Sequence, residues 1–353
     1  MAGSDVVLLC NPRAGGRWKE LARILDSDEA KSVTRIVTDS VEDVGPALLT
    51  IGREAKLLCI YGGDGTIQRV LDRLPADRGE DLQLALIGGG TMNVTSHWCG
   101  FVDRPADHFR YVVNGYRTGN LLLREVPLLE VQRGPVRRRG FTFAMGPMVR
   151  VLDAFERGHK SKRAAVTLGV RTAVGAWLPM ATRTREMLVE MEAQVELDGE
   201  RLPFDRFAAV FANTTGQINP GIVPFRAARD RDTFYVAAYA APSREVALAI
   251  PILARGLLPR DTGSLLQRLS PFERDDTRSP FKSDPRYVNR TARRITIDTA
   301  EPLLTVDGEL ITSDEALRVD VNLGLRLRLA VSPTAALRPG LRRAANAVGA
   351  VKA

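Results

Sequence analysis

The chain has 353 residues, 44% of them hydrophobic and 26% charged; that is enough apolar content for a real core and too much length for one average domain, so two domains are expected. The composition excludes wholesale disorder. A formal net charge of +8 favours anionic partners in general, and nucleic acid, an anionic membrane surface and phosphorylated small molecules all fit that sign.

Cys10, Cys59 and Cys99 show no paired spacing, which points to a reducing compartment. His97 and Cys99 have no matching pair elsewhere, against the four ligands of a structural zinc. No basic region precedes the first apolar run and no glycine follows Met1, so neither a secretory leader nor a myristoyl group is expected. The longest apolar stretch, residues 246–258, contains Pro251 and Arg255 and falls short of the ~20 residues of a spanning helix. The expectation is a cytoplasmic protein, with peripheral contact on the inner face of the membrane left open.

In chain order, residues 6–10 read as a strand buried on both faces. Trp18, Leu21, Ala22 and Leu25 follow at helical spacing. Residues 33–37 read as a strand, and 41–53 as a helix carrying Val44, Leu48 and Ile51. Residues 57–61 are the next buried strand; then Ile67, Val70, Leu71 and Leu74 mark an amphipathic helix ended by Pro75. Residues 82–87 return as a strand. This β-α-β-α order predicts an open, mainly parallel three-layer sheet.

Beyond about residue 121 the pattern changes. Residues 125–132, 140–145, 188–197, 207–212, 234–239 and 294–297 are strand-like with turn residues between them, predicting a mainly antiparallel β domain. Helices are expected near 149–158, 164–178 and 243–258. Residues 271–290 read as a polar surface loop, and the tail from 339 as basic and frayed or helical.

Three glycine-bearing turns each follow an apolar strand: Asn11-Pro12-Arg13-Ala14-Gly15-Gly16, Gly62-Gly63-Asp64-Gly65-Thr66, and Gly88-Gly89-Gly90-Thr91-Met92-Asn93. At the carboxyl ends of parallel strands such loops converge on one crevice. Glycine lets backbone N–H groups approach a ligand, and a following helix favours phosphate with its positive end. Neither G-x-x-x-x-G-K-[ST] nor G-x-G-x-x-G is present, so a Walker NTPase and an ordinary dinucleotide enzyme are unsupported. One such turn alone reads equally well as a tight turn.

Together these runs resemble the diacylglycerol kinase catalytic family, which includes bacterial lipid kinases and sphingosine kinases and is more distantly related to NAD kinases. The resemblance extends from about Val6 to Val331 and includes Val306-Asp307-Gly308-Glu309, where the family carries an acidic turn. It implies a nucleotide domain (1–121, completed by about 317–335), a β-sandwich lipid domain (122–316) and a basic tail (336–353). ATP and lipid would meet in the interdomain cleft. It makes Asn11, Pro12, Gly15, Gly16, Gly62, Gly63, Asp64, Gly65, Thr66, Gly90, Thr91 and Asn93 nucleotide-binding candidates. Glu309 becomes the candidate base for the lipid hydroxyl, with Asp64 and Asp307 as catalytic carboxylates on the Mg²⁺ side. The plain readings stand beside these: Asp64 as a helix cap, Asp307-Gly308 as a hairpin turn.

Leu197-Asp198-Gly199-Glu200 repeats the acidic-turn pattern; the later copy is preferred for its place before the closing strands. The third loop departs from the family, with Gly88-Gly89 where proline is usual and Val94 after Asn93. Ala227-Ala228-Arg229-Asp230-Arg231-Asp232 departs at its second acidic position and its glycine, which puts a structural magnesium site in doubt. Arg137-Arg138-Arg139 and residues 159–163 could face anionic headgroups or plain solvent. They carry no interleaved aromatics, so nucleic acid is not expected. The expected activity is transfer of the γ-phosphate of ATP to a lipid hydroxyl of diacylglycerol or sphingoid type. A non-catalytic binding homologue and a kinase of a small soluble acceptor stay open, as does the oligomeric state, a homodimer included.

Overall fold

The computed structural model describes residues 5–13, 18–40, 42–78, 81–90, 93–101, 104–156, 187–218, 222–262, 282–313 and 317–336. The chain divides into two compact units, Met1–Leu128 with Leu325–Ala353, and Leu129–Gly324.

In the first unit, strands β1 (Val6–Cys10), β2 (Thr34–Val37), β3 (Leu57–Gly62) and β4 (Gln83–Gly88) pair in parallel in the order β2-β1-β3-β4. The end of the strand Arg318–Ala330 joins beside β4, with Arg328 and Leu329 opposite Gln83 and Leu84. β1 and β3 are buried at every residue, as continuous apolar runs in a parallel sheet require. β2 is the edge strand and is largely exposed. Helices α1 (Trp18–Leu25), α2 (Asp28–Lys31), α3 (Val44–Leu49), α4 (Asp64–Arg73), α5 (Val94–Trp98) and α6 (Pro105–Arg117) complete the unit.

The α4 pattern holds, with Ile67, Val70, Leu71 and Leu74 buried and the helix ending just before Pro75, which disfavours helical geometry in the residue preceding it. Two expectations are corrected. Trp18 is 64% exposed, and α1 buries Leu21 and Ile24 instead. The helix expected over 41–53 spans only Val44–Leu49, hemmed by Pro46 in its first turn and Gly52 beyond its end.

In the second unit, six strands form an antiparallel sheet in the order Tyr287–Ala292, Phe234–Tyr239, Ala209–Asn213, Thr142–Met145, Leu303–Val306, Glu309–Thr312. Met191–Leu197 and Arg294–Thr299 pair antiparallel, and Arg294–Thr299 also pairs with residues 318–322. One shared core, including Phe143, Val195, Val210, Phe234, Ile297 and Val319, lies between these layers, so alternate residues of Met191–Leu197 point in and out. On its other face the six-stranded sheet carries the helix Ser243–Leu253, with Val246, Ala249, Ile252 and Leu253 against Ala209, Ala237 and Tyr239.

Two further expectations are corrected here, and residues 137–139 gain a place in the fold. Tyr287–Ala292 is a strand, although 271–290 read as a loop: Tyr287 and Ala292 are buried ends, and the polar middle is held because Asn289 accepts from Arg226 N–H and donates to the Pro224 carbonyl. Arg137 and Arg139 belong to the strand Val136–Gly140 and pair across the hairpin with Glu130. The 243–258 helix stops at Leu253, with Gly256 at φ +72° just beyond. The readings at 159–163, 164–178, 271–281 and the tail from 337 lie outside the described residues.

Candidate active site

The described residues that leave the carboxyl ends of β1, β3 and β4, namely Asn11–Arg13, Gly63 with the start of α4, and Gly89–Gly90, sit side by side. Asn11 leaves β1 and donates its backbone N–H to the Tyr61 carbonyl (3.0 Å). Its side chain, buried, donates from Nδ2 to Thr66 Oγ1 (3.0 Å) and accepts Arg13 N–H (3.0 Å). The Asn11 amide therefore ties the first loop to the first turn of α4.

The second and third loops meet backbone to backbone. Gly89 N–H donates to the Gly62 carbonyl (2.7 Å). A Cβ on Gly90 would stand 2.7 Å from Gly63 Cα, and one on Gly88 would fall 2.6 Å from Asn93 Cγ. Only glycine permits that approach without moving a loop. Asn93, left-handed at φ +50°, accepts Gly90 N–H (2.7 Å) and donates to the Gly90 carbonyl (2.9 Å), closing the third loop on itself.

Asp64 opens α4, and its carboxylate takes hydrogen bonds from the backbone N–H groups of Val94, Thr95 and Asn93 at the start of α5. Burial raises its pKa, and those N–H groups and His97 oppose the rise without cancelling it. Its Oδ1 is buried without a hydrogen-bond partner among the described residues. Asn11, Thr66 and Asn93 thus turn their side chains inward. What stays partly open are Gly63 and Gly65, at the N-terminus of the ten-residue α4, together with half-buried Pro12. Free N–H groups at such a terminus suit phosphate oxygens. Gly15, Gly16 and Thr91 lie outside the described residues.

In the second unit, Asp307 and Gly308 form the two-residue turn joining Leu303–Val306 to Glu309–Thr312, both at positive φ (50° and 89°), as the favoured hairpin turn requires. The Asp307 carboxylate accepts Phe141 N–H (2.9 and 3.0 Å) and Thr142 N–H (2.8 Å), while Asp307 N–H donates to the Thr142 carbonyl (2.9 Å). A Cβ on Gly140 would lie 2.5 Å from Asp307 Oδ2. Thr142 Oγ1 in turn accepts from Asn213 Nδ2 (2.8 Å), and fully buried Asn213 accepts the N–H groups of Thr215 and Gly216. The sequence reading missed Gly140, Thr142 and Asn213. Their signal was present: Asn213 ends an apolar strand just before a glycine turn, as Asn11 does.

The two Asp-Gly-Glu copies share one device. Asp198 also sits at φ +54° and accepts the N–H groups of Arg293 and Arg294 (2.8 Å each). The glutamates differ. Glu200 pairs with Arg290 (3.0 Å) and is 72% exposed. Glu309 is half-buried, its carbonyl accepts from Thr305 Oγ1 (3.0 Å), and its carboxylate has no partner among the described residues. The altered Asp230–Asp232 segment is a turn in which Asp230 and Thr233 bond one another. Among the described residues no three His, Cys, Asp or Glu side chains cluster as a metal site.

Residues 5–119 match the model of the diacylglycerol kinase catalytic domain family. Among solved structures, a protein described as a candidate diacylglycerol kinase of Bacillus anthracis str. Sterne aligns at 16% identity over 95% of this chain and 99% of its own, with a TM-score of 0.61. A diacylglycerol kinase from the same organism aligns at 14% identity with the same coverage and a TM-score of 0.58. At such identities the likeness establishes the fold, a parallel α/β unit followed by an antiparallel β unit. No curated protein matches the chain.

Proposed function

We propose that this chain, whose residues 5–119 belong to the diacylglycerol kinase catalytic domain family, is a lipid kinase that moves the γ-phosphate of ATP to a lipid hydroxyl of diacylglycerol or sphingoid type. The observation that carries the assignment of roles is the unpaired, half-buried Glu309 on a hairpin whose other acid is bound to backbone.

Phosphoryl transfer needs positioning, neutralisation of charge and a group that accepts the hydroxyl proton. Glu309 is that acceptor: an unpaired carboxylate is free to take the proton as the lipid oxygen bonds to phosphorus and the bond from phosphorus to the departing ADP oxygen breaks. Asp307 holds the turn that presents Glu309. With its oxygens taken by Phe141 and Thr142 N–H, it is a poor magnesium ligand and a positioning residue instead. The Gly63–Gly90 approach packs the second and third loops against each other, and the partly open Gly63 and Gly65 at the start of α4 offer backbone N–H groups to phosphate oxygens.

Asp64, with one buried oxygen unpartnered, is the carboxylate that fits Mg²⁺ best, and the ion would supply charge neutralisation on the phosphates. Asn11, Thr66 and Asn93 hold the three loops in register. A lipid acceptor places the reaction at a membrane surface.

The test is incubation of the folded chain with γ-labelled ATP and a panel of diacylglycerol, sphingoid base, ceramide and phosphatidylglycerol. Label in at least one lipid is expected. Label on none of them sinks the reading for these acceptors, and phosphorylation of NAD without lipid replaces it with a soluble-acceptor kinase.

A further inference from the structure

The helix Ser243–Leu253 buries one side against the six-stranded sheet, and its opposite side is apolar as well. Ile250 is 40% exposed, Pro251 is exposed, and Ala247 and Leu248 are half-buried. A helix facing water ordinarily carries charges there. Beside the end of this helix runs the segment of Ile222 and Val223, 38% and 39% exposed, pinned by Val223 N–H to the Ala254 carbonyl (2.7 Å).

Two exposed arginines bracket the face. Arg244 stands in the first turn of the helix and Arg255 just past its C-cap Ala254, and neither side chain has a partner among the described residues. The acids nearby are already engaged. Glu190 accepts the Ser243 N–H (2.6 Å), and Glu245 and Asp284 both hold Arg286 (3.0 and 2.7 Å). An apolar strip with a free cation at each end matches the layering of an anionic bilayer surface, hydrocarbon below and phosphate above. No helix among the described residues is long and apolar enough to cross a membrane, so contact through this helix would be interfacial.

We infer that the outer face of the 243–253 helix, with Ile222 and Val223, seats the protein on an anionic lipid surface. The inference deepens the lipid-kinase reading by naming the surface that meets the membrane, yet it is read without turnover. The full chain is floated, without ATP, on vesicles of phosphatidylcholine alone and on vesicles enriched in phosphatidylglycerol.

Wild type is expected to prefer the anionic vesicles and to lose that preference as salt rises. Arg244→Gln and Arg255→Gln each lower anionic-vesicle binding about fivefold. Val223→Ser with Ile250→Ser lowers binding to both vesicle types by about tenfold or more. All four positions are exposed, so unchanged melting temperatures are expected alongside.

Vesicle binding equal in wild type and all variants overturns the inference. So does a variant that changes the sedimentation of the chain but not its vesicle binding, which gives the face to a second copy. Face-dependent binding without lipid phosphorylation leaves the membrane surface standing and removes the kinase reading. Lipid phosphorylation without face-dependent binding does the reverse.

Discussion

Asp307 separates two accounts of the acidic turn, because a magnesium ligand and a backbone clamp fail differently when removed. Asp307→Ala deletes a carboxylate that accepts two backbone N–H groups at 2.8 to 3.0 Å in a partly buried setting. Hydrogen bonds to a charged acceptor contribute about 1.5–3 kcal/mol each, and donors left unpaired add to the loss. Alanine at φ +50° adds roughly 1 kcal/mol of left-handed strain. The sum is about 4–7 kcal/mol. Asp307→Asn, which tolerates the left-handed region and keeps an acceptor, should lose about half of that. Asp198→Ala, whose two bonds are exposed, should lose only about 1–2 kcal/mol. Urea titration of the chain in EDTA measures all three. If Asp307→Ala leaves stability unchanged in EDTA and lowers only magnesium-dependent activity, the clamp is wrong and the metal role returns.

The other predictions follow from single contacts. Gly90→Ala places a Cβ 2.7 Å from Gly63 Cα, whereas Gly63→Ala meets Gly90 Cα at an ordinary 3.5 Å. Gly90→Ala should destabilise by about 1–3 kcal/mol and weaken ATP binding, with Gly63→Ala closer to wild type in melting temperature; equal effects from the two would refute the packing drawn for these loops. His108 is buried, stacked on Phe101, with Nε2 unpartnered, and burial holds its pKa well below the usual value. Below pH 6.5 the unfolded chain then binds a proton that the folded chain refuses, so this residue's contribution is present above that pH and falls as pH drops. The slope is at most about 1.4 kcal/mol per pH unit, and His108→Phe should flatten stability between pH 7 and 5; an unchanged slope would contradict it.

Much of the first unit was legible because parallel strands buried on both faces announce themselves as apolar runs, as at Val6–Cys10 and Leu57–Gly62. The glycine turns were legible for the same reason, each closing such a run. The direction of the side chains within them was not. Asn11 and Asn93 read as ligand contacts, but their amides satisfy loop backbone and Thr66, a choice made by three-dimensional neighbours 55 residues apart in one case. In the second unit, Tyr287–Ala292 and Val136–Gly140 hid behind arginines and asparagine, because pairing with distant strands and with Glu130 supplies what local hydrophobicity lacks. Pattern alone could not choose between two Asp-Gly-Glu copies. The Arg290 partner of Glu200, distant in sequence, makes the difference.

The central claim rests on that difference and is tested most directly by comparing Glu309→Gln with Glu200→Gln in lipid phosphorylation from ATP, with the best acceptor of the panel. Loss of kcat/KM by about 10²–10⁴ for Glu309→Gln, with Glu200→Gln near wild type, is the predicted result. Retained activity in Glu309→Gln, or an equal loss in both, would contradict the assignment of the base and the account built on it.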